Sequence, residues 1–157
     1  MFLWFVALSF VLVAMVFNSP ALDYRFVIAG AVLPTVELLA DGPYVLHTLL
    51  APFVVLTVVM LATRGHRLIR RRWLGFPIGL FMYLVLDGAW LRTELFWWPA
   101  WGLQVGSANL PQVKPLVTLI AMEVAGLIAA LWAVRRYSLN QRQHLSQFAK
   151  TGRLPRT

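Results

Sequence analysis

Glu37, His47, Asp87 and Glu123 are ionisable residues that sit in or at the edge of long apolar runs. A charge in such a run is expensive to bury and calls for a partner or a task. Carboxylate oxygens and an imidazole nitrogen are the donors that zinc or manganese uses where no thiolate is offered, and the chain has no cysteine. Glu37, His47 and Asp87 would then be metal ligands, with a position left for water that the ion ionises near neutral pH. Glu123 or Asp41 would support that centre or serve as its general base. The same residues also suit structural pairing, with His47 bonded to a carboxylate and Arg92 satisfying Asp87 or Glu94. A proton or ion path is a third use, which Glu123 alone motivates. His66 and His144 lie among arginines and read as solvated neighbours.

These residues need helices to position them. The chain has 157 residues, 60% hydrophobic and 13% charged, with a mean hydropathy of +0.72. That leaves too few polar side chains to cover a soluble globule, and the apolar residues come in long stretches. The expectation is an all-α polytopic membrane bundle of four to five transmembrane helices. Residues 1–17, 44–62, 73–91 and 115–134 read as spans. The run 26–40 is shorter than the hydrocarbon core and either spans or dips into the outer face. Residues 1–17 lack the basic start and small-residue cleavage site of a signal peptide and read as a retained span. Pro34, Pro52 and Pro77 each interrupt an apolar run and should kink a helix. Gly75 and Gly79 form a GxxxG, and Ala121, Ala125, Ala129 and Ala133 recur every four residues. Both patterns allow close helix contact, although small residues are common in membrane helices generally.

The net charge of +8 is concentrated in two places. Arg64, Arg67, Arg70, Arg71 and Arg72 share one loop, and Arg135, Arg136, Arg142, Lys150, Arg153 and Arg156 share the C-terminal stretch. Two short basic clusters beside apolar runs read as cytoplasmic loops against anionic lipid heads, not as a nucleic-acid surface. Residues 1–136 then form the transmembrane domain and 137–157 a basic cytoplasmic tail, read as a surface helix that frays. Segment 92–114 falls outside, with the Phe96 to Trp101 aromatics at the outer interface. Of the six acidic residues only Asp23 belongs on the inner side.

The runs Gly30 to Glu37, Leu46 to Leu50, Gly79 to Gly88 and Trp98-Pro99 resemble the membrane-bound metal-dependent hydrolase family of the YdjM type. That family shows a Pro-Asp-x-Asp, a His-Ser, a His-x-x-x-Asp late in a following helix, and then an aromatic-Pro. The resemblance covers roughly residues 30–101. It implies a helical membrane fold and a metal-assisted hydrolase. Here the family's first Asp is Thr35, its second is Glu37, and the His of His-x-x-x-Asp is Tyr83, so Glu37, His47 and Asp87 keep ligand chemistry.

The leading expectation is a hydrolase of the inner (plasma) membrane with a divalent metal, zinc or manganese, acting at the outer face on a lipid or lipid-linked phosphoester. The rival expectation is a non-catalytic subunit or scaffold, with the GxxxG, the alanine stripe and the tail as docking surfaces. Membrane lipids are the expected partners, with a membrane protein or a second copy of the chain beside them.

Overall fold

The computed structural model describes residues 1–17, 19, 21–39, 45–91, 96–99 and 115–154, and within these the apolar runs fold mostly as helix. In chain order the helices are α1 (Phe2–Phe17), α2 (Tyr24–Leu39), α3 (Leu50–Ala62), α4 (Arg67–Trp73), α5 (Gly75–Asp87), α6 (Leu116–Arg136) and α7 (Arg142–Thr151). Short 3-10 turns, Val45–His47 and Ala89–Leu91, precede α3 and follow α5. The all-α expectation holds for the described residues.

The prolines explain where helices break. Pro77 has no N–H to give the carbonyl of Trp73, and the helix is interrupted at Leu74 between α4 and α5. Leu74 keeps helical angles (φ −59, ψ −23), so the two pieces run on almost as one. Pro52 falls in the first turn of α3, where a missing N–H costs nothing. Pro34 lies inside α2, which continues past it. Gly88 ends α5 with a left-handed backbone (φ 72) that favours glycine.

Of the run 26–40, residues 26–39 belong to helix α2, which packs along α5. Glycines bring the two together. A Cβ on Gly79 would strike the carbonyl of Val27, and one on Gly75 would lie 2.7 Å from the carbonyl of Asp23. From the other side, a Cβ on Gly30 would strike the carbonyl of Phe76. Asp23 faces Gly75 and Val27 faces Gly79, so α2 and α5 run parallel. Helix α1 runs against them, with Phe5 stacked on Tyr83 (centroids 4.3 Å apart) and Phe10 edge-on to Tyr24 (5.5 Å).

Helix α6 runs parallel to α1. Gly126 admits the backbone of Leu3 and Trp4, and Tyr137 reaches Phe10 at 5.9 Å. The buried residues of α6 are Met122, Gly126 and Ala133, with Ala129 packed beside them, while Ala121 is exposed. A strict four-residue repeat drifts around a 3.6-residue helix, so the face against α1 follows a 4-3-4 spacing and not the alanine stripe.

Length separates α6 from the rest. Among the described residues it is the one helix long and apolar enough to cross a membrane, with 21 residues rising about 31 Å. The apolar helices α1 and α3 have 16 and 13 residues. The 3-10 turn at Val45–His47 shortens the run expected over 44–62, and the Leu74 break shortens the one expected over 73–91.

Candidate functional site

Two polar clusters form, one at each end of the bundle. At the first, Glu37 stands in the last turn of α2. Its Oε2 accepts the backbone N–H of Leu46 at 2.9 Å and faces Nδ1 of His47 at 3.3 Å. A carboxylate only accepts, so Nδ1 carries a proton toward Glu37. The hydroxyl of Tyr83, on α5, shares a hydrogen bond with Nε2 at 3.1 Å. His47 is 1% exposed and Tyr83 is 2% exposed. The result is a buried chain, Glu37–His47–Tyr83, that links α2, the 3-10 turn and α5, with Phe5 of α1 stacked on its far end. The turn itself is fixed by buried Thr48, whose hydroxyl donates to the carbonyl of Val45 at 2.7 Å.

Asp87 lies one turn beyond Tyr83 on α5, is half-buried, and is engaged in contacts of its own. Glu123 stands elsewhere. From the first half of α6 its carboxylate accepts the N–H of Leu3 at 3.0 Å and pairs with the α-amino group of Met1. It therefore satisfies the start of α1, where helix N–H groups have no partner within the helix. No hydrogen bond among the described residues joins it to His47. Asp41, Arg92 and Glu94 lie outside the described residues.

Among the described residues no three of His, Asp and Glu form a group able to hold an ion. Both ring nitrogens of His47 are taken up, one by Glu37 and one by Tyr83, so the residues as arranged do not fit the zinc or manganese centre expected from Glu37, His47 and Asp87.

The second cluster gathers at the arginine-rich end and has no counterpart among the sequence expectations. Asp23, 1% exposed, accepts from Nε and Nη2 of Arg25 at 3.0 and 2.8 Å and lies 3.6 Å from Nη2 of Arg72. It also accepts the backbone N–H of Arg25 at 3.2 Å, as a helix N-cap does. Burial by itself would raise the Asp23 carboxyl. The hydrogen bonds from the Arg25 side chain and backbone, and the charges of Arg25 and Arg72, outweigh burial and hold it below its ordinary value.

The same arginine reaches the C-terminal segment. Nη1 of Arg25 donates to the carbonyls of Ala149 and Lys150 at 2.8 and 3.2 Å, the last turn of α7. The N–H of Tyr24 donates to the carbonyl of Gly152 at 2.9 Å. Gly152 is left-handed (φ 66), and a Cβ there would run into the Asp23 carboxylate. Phe148 packs edge-on against Phe10 at 5.9 Å. Helix α7 is therefore seated on the bundle. The sequence signals for this contact are Asp23 just ahead of an apolar run and the lone glycine of the tail.

Compared with models of known families, with curated proteins and with solved structures, the chain matches none.

Proposed function

We propose that this chain is a multi-pass protein of the inner (plasma) membrane, a non-catalytic helical subunit with four to five of its helices in the bilayer and its C-terminal tail in the cytoplasm. The observation that carries the reading is the outward face of α6. Val117 is 78% exposed and Ile128 is 63% exposed, with Leu116, Ile120, Val124 and Leu131 between half and three-quarters exposed beside them. An apolar surface of that length is costly in water and at rest in hydrocarbon. Two further features support it. The loop arginines and the tail meet at one end of the bundle through Asp23, Arg25 and Arg72, as cytoplasmic basic segments must. The polar chain at the other end is satisfied internally, as buried polar groups in a membrane protein must be.

The use of the polar residues supports the non-catalytic reading. Glu37, His47 and Tyr83 bond one another, and Glu123 is bound to the start of α1. The GxxxG is used inside the bundle, between α5 and α2, so lipids, a partner protein or a second copy would meet the exposed flanks of α3 and α6 instead.

The native absence of cysteine makes topology directly testable. Single cysteines at Arg67 and Gln143 should be shielded from an impermeant maleimide in intact cells and react after the membrane is opened. One at Leu91 should react in intact cells. Labelling of all three in intact cells, or recovery of the protein in the soluble fraction, contradicts the reading.

The hydrolase reading rests on the resemblance and on the Glu37–His47 pair, since a carboxylate bonded to Nδ1 is how many metal-ligating histidines are oriented. It requires His47 to exchange Tyr83 for a zinc or manganese ion and Asp87 to join it.

A further inference from the structure

Helix α7 has two faces. His144 and Phe148 are half-buried, and Phe148 meets Phe10 of α1. On the other side Arg142, Gln143, Ser146, Gln147 and Lys150 are exposed and line one shallow groove that runs along the helix. Helical spacing puts these five nearly opposite the seated pair. The bonds from Arg25 to the carbonyls of Ala149 and Lys150 hold the helix in that orientation.

The chemistry of the outward face is uniform. Each of the five side chains donates hydrogen bonds and none is acidic. Arg142, Ser146 and Lys150 follow at four-residue spacing, about 6 Å apart along the axis. Side chains so placed are neighbours on a helix, so both cations can close on an anion held over the Ser146 hydroxyl. Among the described residues neither cation is in an ion pair. The sequence has no acidic residue after Glu123. Asp23, the carboxylate at this end, is 1% exposed and held by Arg25 and Arg72, so it does not answer the charge of the groove.

We propose that the outward face of α7 binds the headgroup phosphate of an anionic membrane phospholipid, with Arg142 and Lys150 flanking the phosphate and Ser146 donating to it. The proposal rests on the membrane reading above. Two observations select the occupant besides the charge. Helix α4, tied to the seat of α7 through Arg72 and Asp23, exposes Leu68 (74%) and Trp73 (44%) among its arginines. Apolar side chains mixed with arginine suit the boundary between headgroups and acyl chains, and they place this end of the bundle at that depth. A protein partner would need an apolar centre to its interface, which the five polar side chains of the groove do not offer.

The test uses the full chain, purified in a non-ionic detergent. It is titrated with phosphatidylglycerol and, separately, with phosphatidylcholine of the same acyl chains, and bound lipids are counted by native mass spectrometry. Each cation beside an anionic headgroup is worth roughly a factor of five, so phosphatidylglycerol should bind about ten- to thirtyfold more tightly. Arg142→Gln combined with Lys150→Gln should abolish that preference and leave phosphatidylcholine binding unchanged. Arg64→Gln combined with Arg67→Gln removes the same charge from exposed positions outside the groove and should keep most of it. Protection of the tail from limited proteolysis checks that α7 stays seated in each variant. Equal affinity for the two lipids overturns the proposal. Equal losses in the two double variants overturn the α7 site in favour of diffuse charge. Displacement of phosphatidylglycerol by inorganic phosphate or a short RNA, beyond that caused by chloride at the same ionic strength, overturns the lipid as occupant. Protein that stays in solution without detergent and does not float with vesicles is the distinct failure of the membrane reading.

Discussion

Nε2 of His47 lies 3.1 Å from the hydroxyl of Tyr83, and that contact decides what the imidazole is free to do. With Nδ1 directed at Glu37, the ring joins two helices and a turn and has no nitrogen left for an ion. Tyr83→Phe should therefore behave as a structural lesion. It removes the hydroxyl that bonds Nε2 and should cost about 1 kcal/mol. Unfolding in mixed micelles, measured by loss of helical signal with rising denaturing detergent, checks this. An unchanged midpoint would show that the tyrosine hydroxyl contributes nothing to holding the turn.

The α2–α5 contact is set by absent side chains. Gly79→Ala places a Cβ against the carbonyl of Val27, and backbone cannot yield as a flexible side chain does. The expected loss is about 1–3 kcal/mol. Ala121→Leu, on the exposed side of α6, should stay within about 0.5 kcal/mol of the parent. Measured side by side in the same detergent, equal effects would contradict glycine-mediated packing of α2 on α5.

The Asp23 cluster predicts a pH dependence. Its carboxyl titrates lower in the folded protein than in the unfolded chain. The stabilisation is thus fully present above the ordinary carboxylate range and is lost as pH falls through the lower, folded value. Asp23→Asn should be less stable than the parent near neutral pH, and the two should converge in acid. A gap that is constant with pH would assign the effect to shape and not to charge.

Seating of α7 should depend on Arg25 and Gly152. Arg25→Ala removes the donor to the carbonyls of Ala149 and Lys150, and Gly152→Ala forces a side chain into Asp23. Either change should expose the tail to limited proteolysis while the rest of the bundle resists. Protection equal to the parent would show that the Phe148–Phe10 contact suffices.

Helix content was legible because apolar runs with proline and glycine at their edges leave little choice. Helix length was not, since hydropathy continues through the 3-10 turn at Val45–His47 and through Leu74, where the backbone pattern changes. The GxxxG identified a real contact because glycine has one packing use at that spacing. Of the alanine stripe, Ala129 and Ala133 pack into the core and Ala121 is exposed, because a repeat of four slips against the helical period. At the candidate site, the Glu37–His47 pair followed from two ionisable groups at adjacent run ends. In the sequence Tyr83 is one tyrosine in an apolar run, whereas in the fold its buried hydroxyl is the second partner of His47. Asp23 reads from sequence as a lone inner carboxylate, yet it draws in arginines from α2 and from α4. Pairing across such sequence distances leaves no local signature.

The most direct measurement is the metal content of the detergent-purified chain by elemental mass spectrometry, before and after incubation with zinc and manganese, beside His47→Ala and Asp87→Ala. With His47 held between Glu37 and Tyr83, the expected result is no stoichiometric metal in the folded parent and no difference from the variants. Near-stoichiometric zinc or manganese that both substitutions abolish would contradict the non-catalytic account and turn the search to phosphoester substrates.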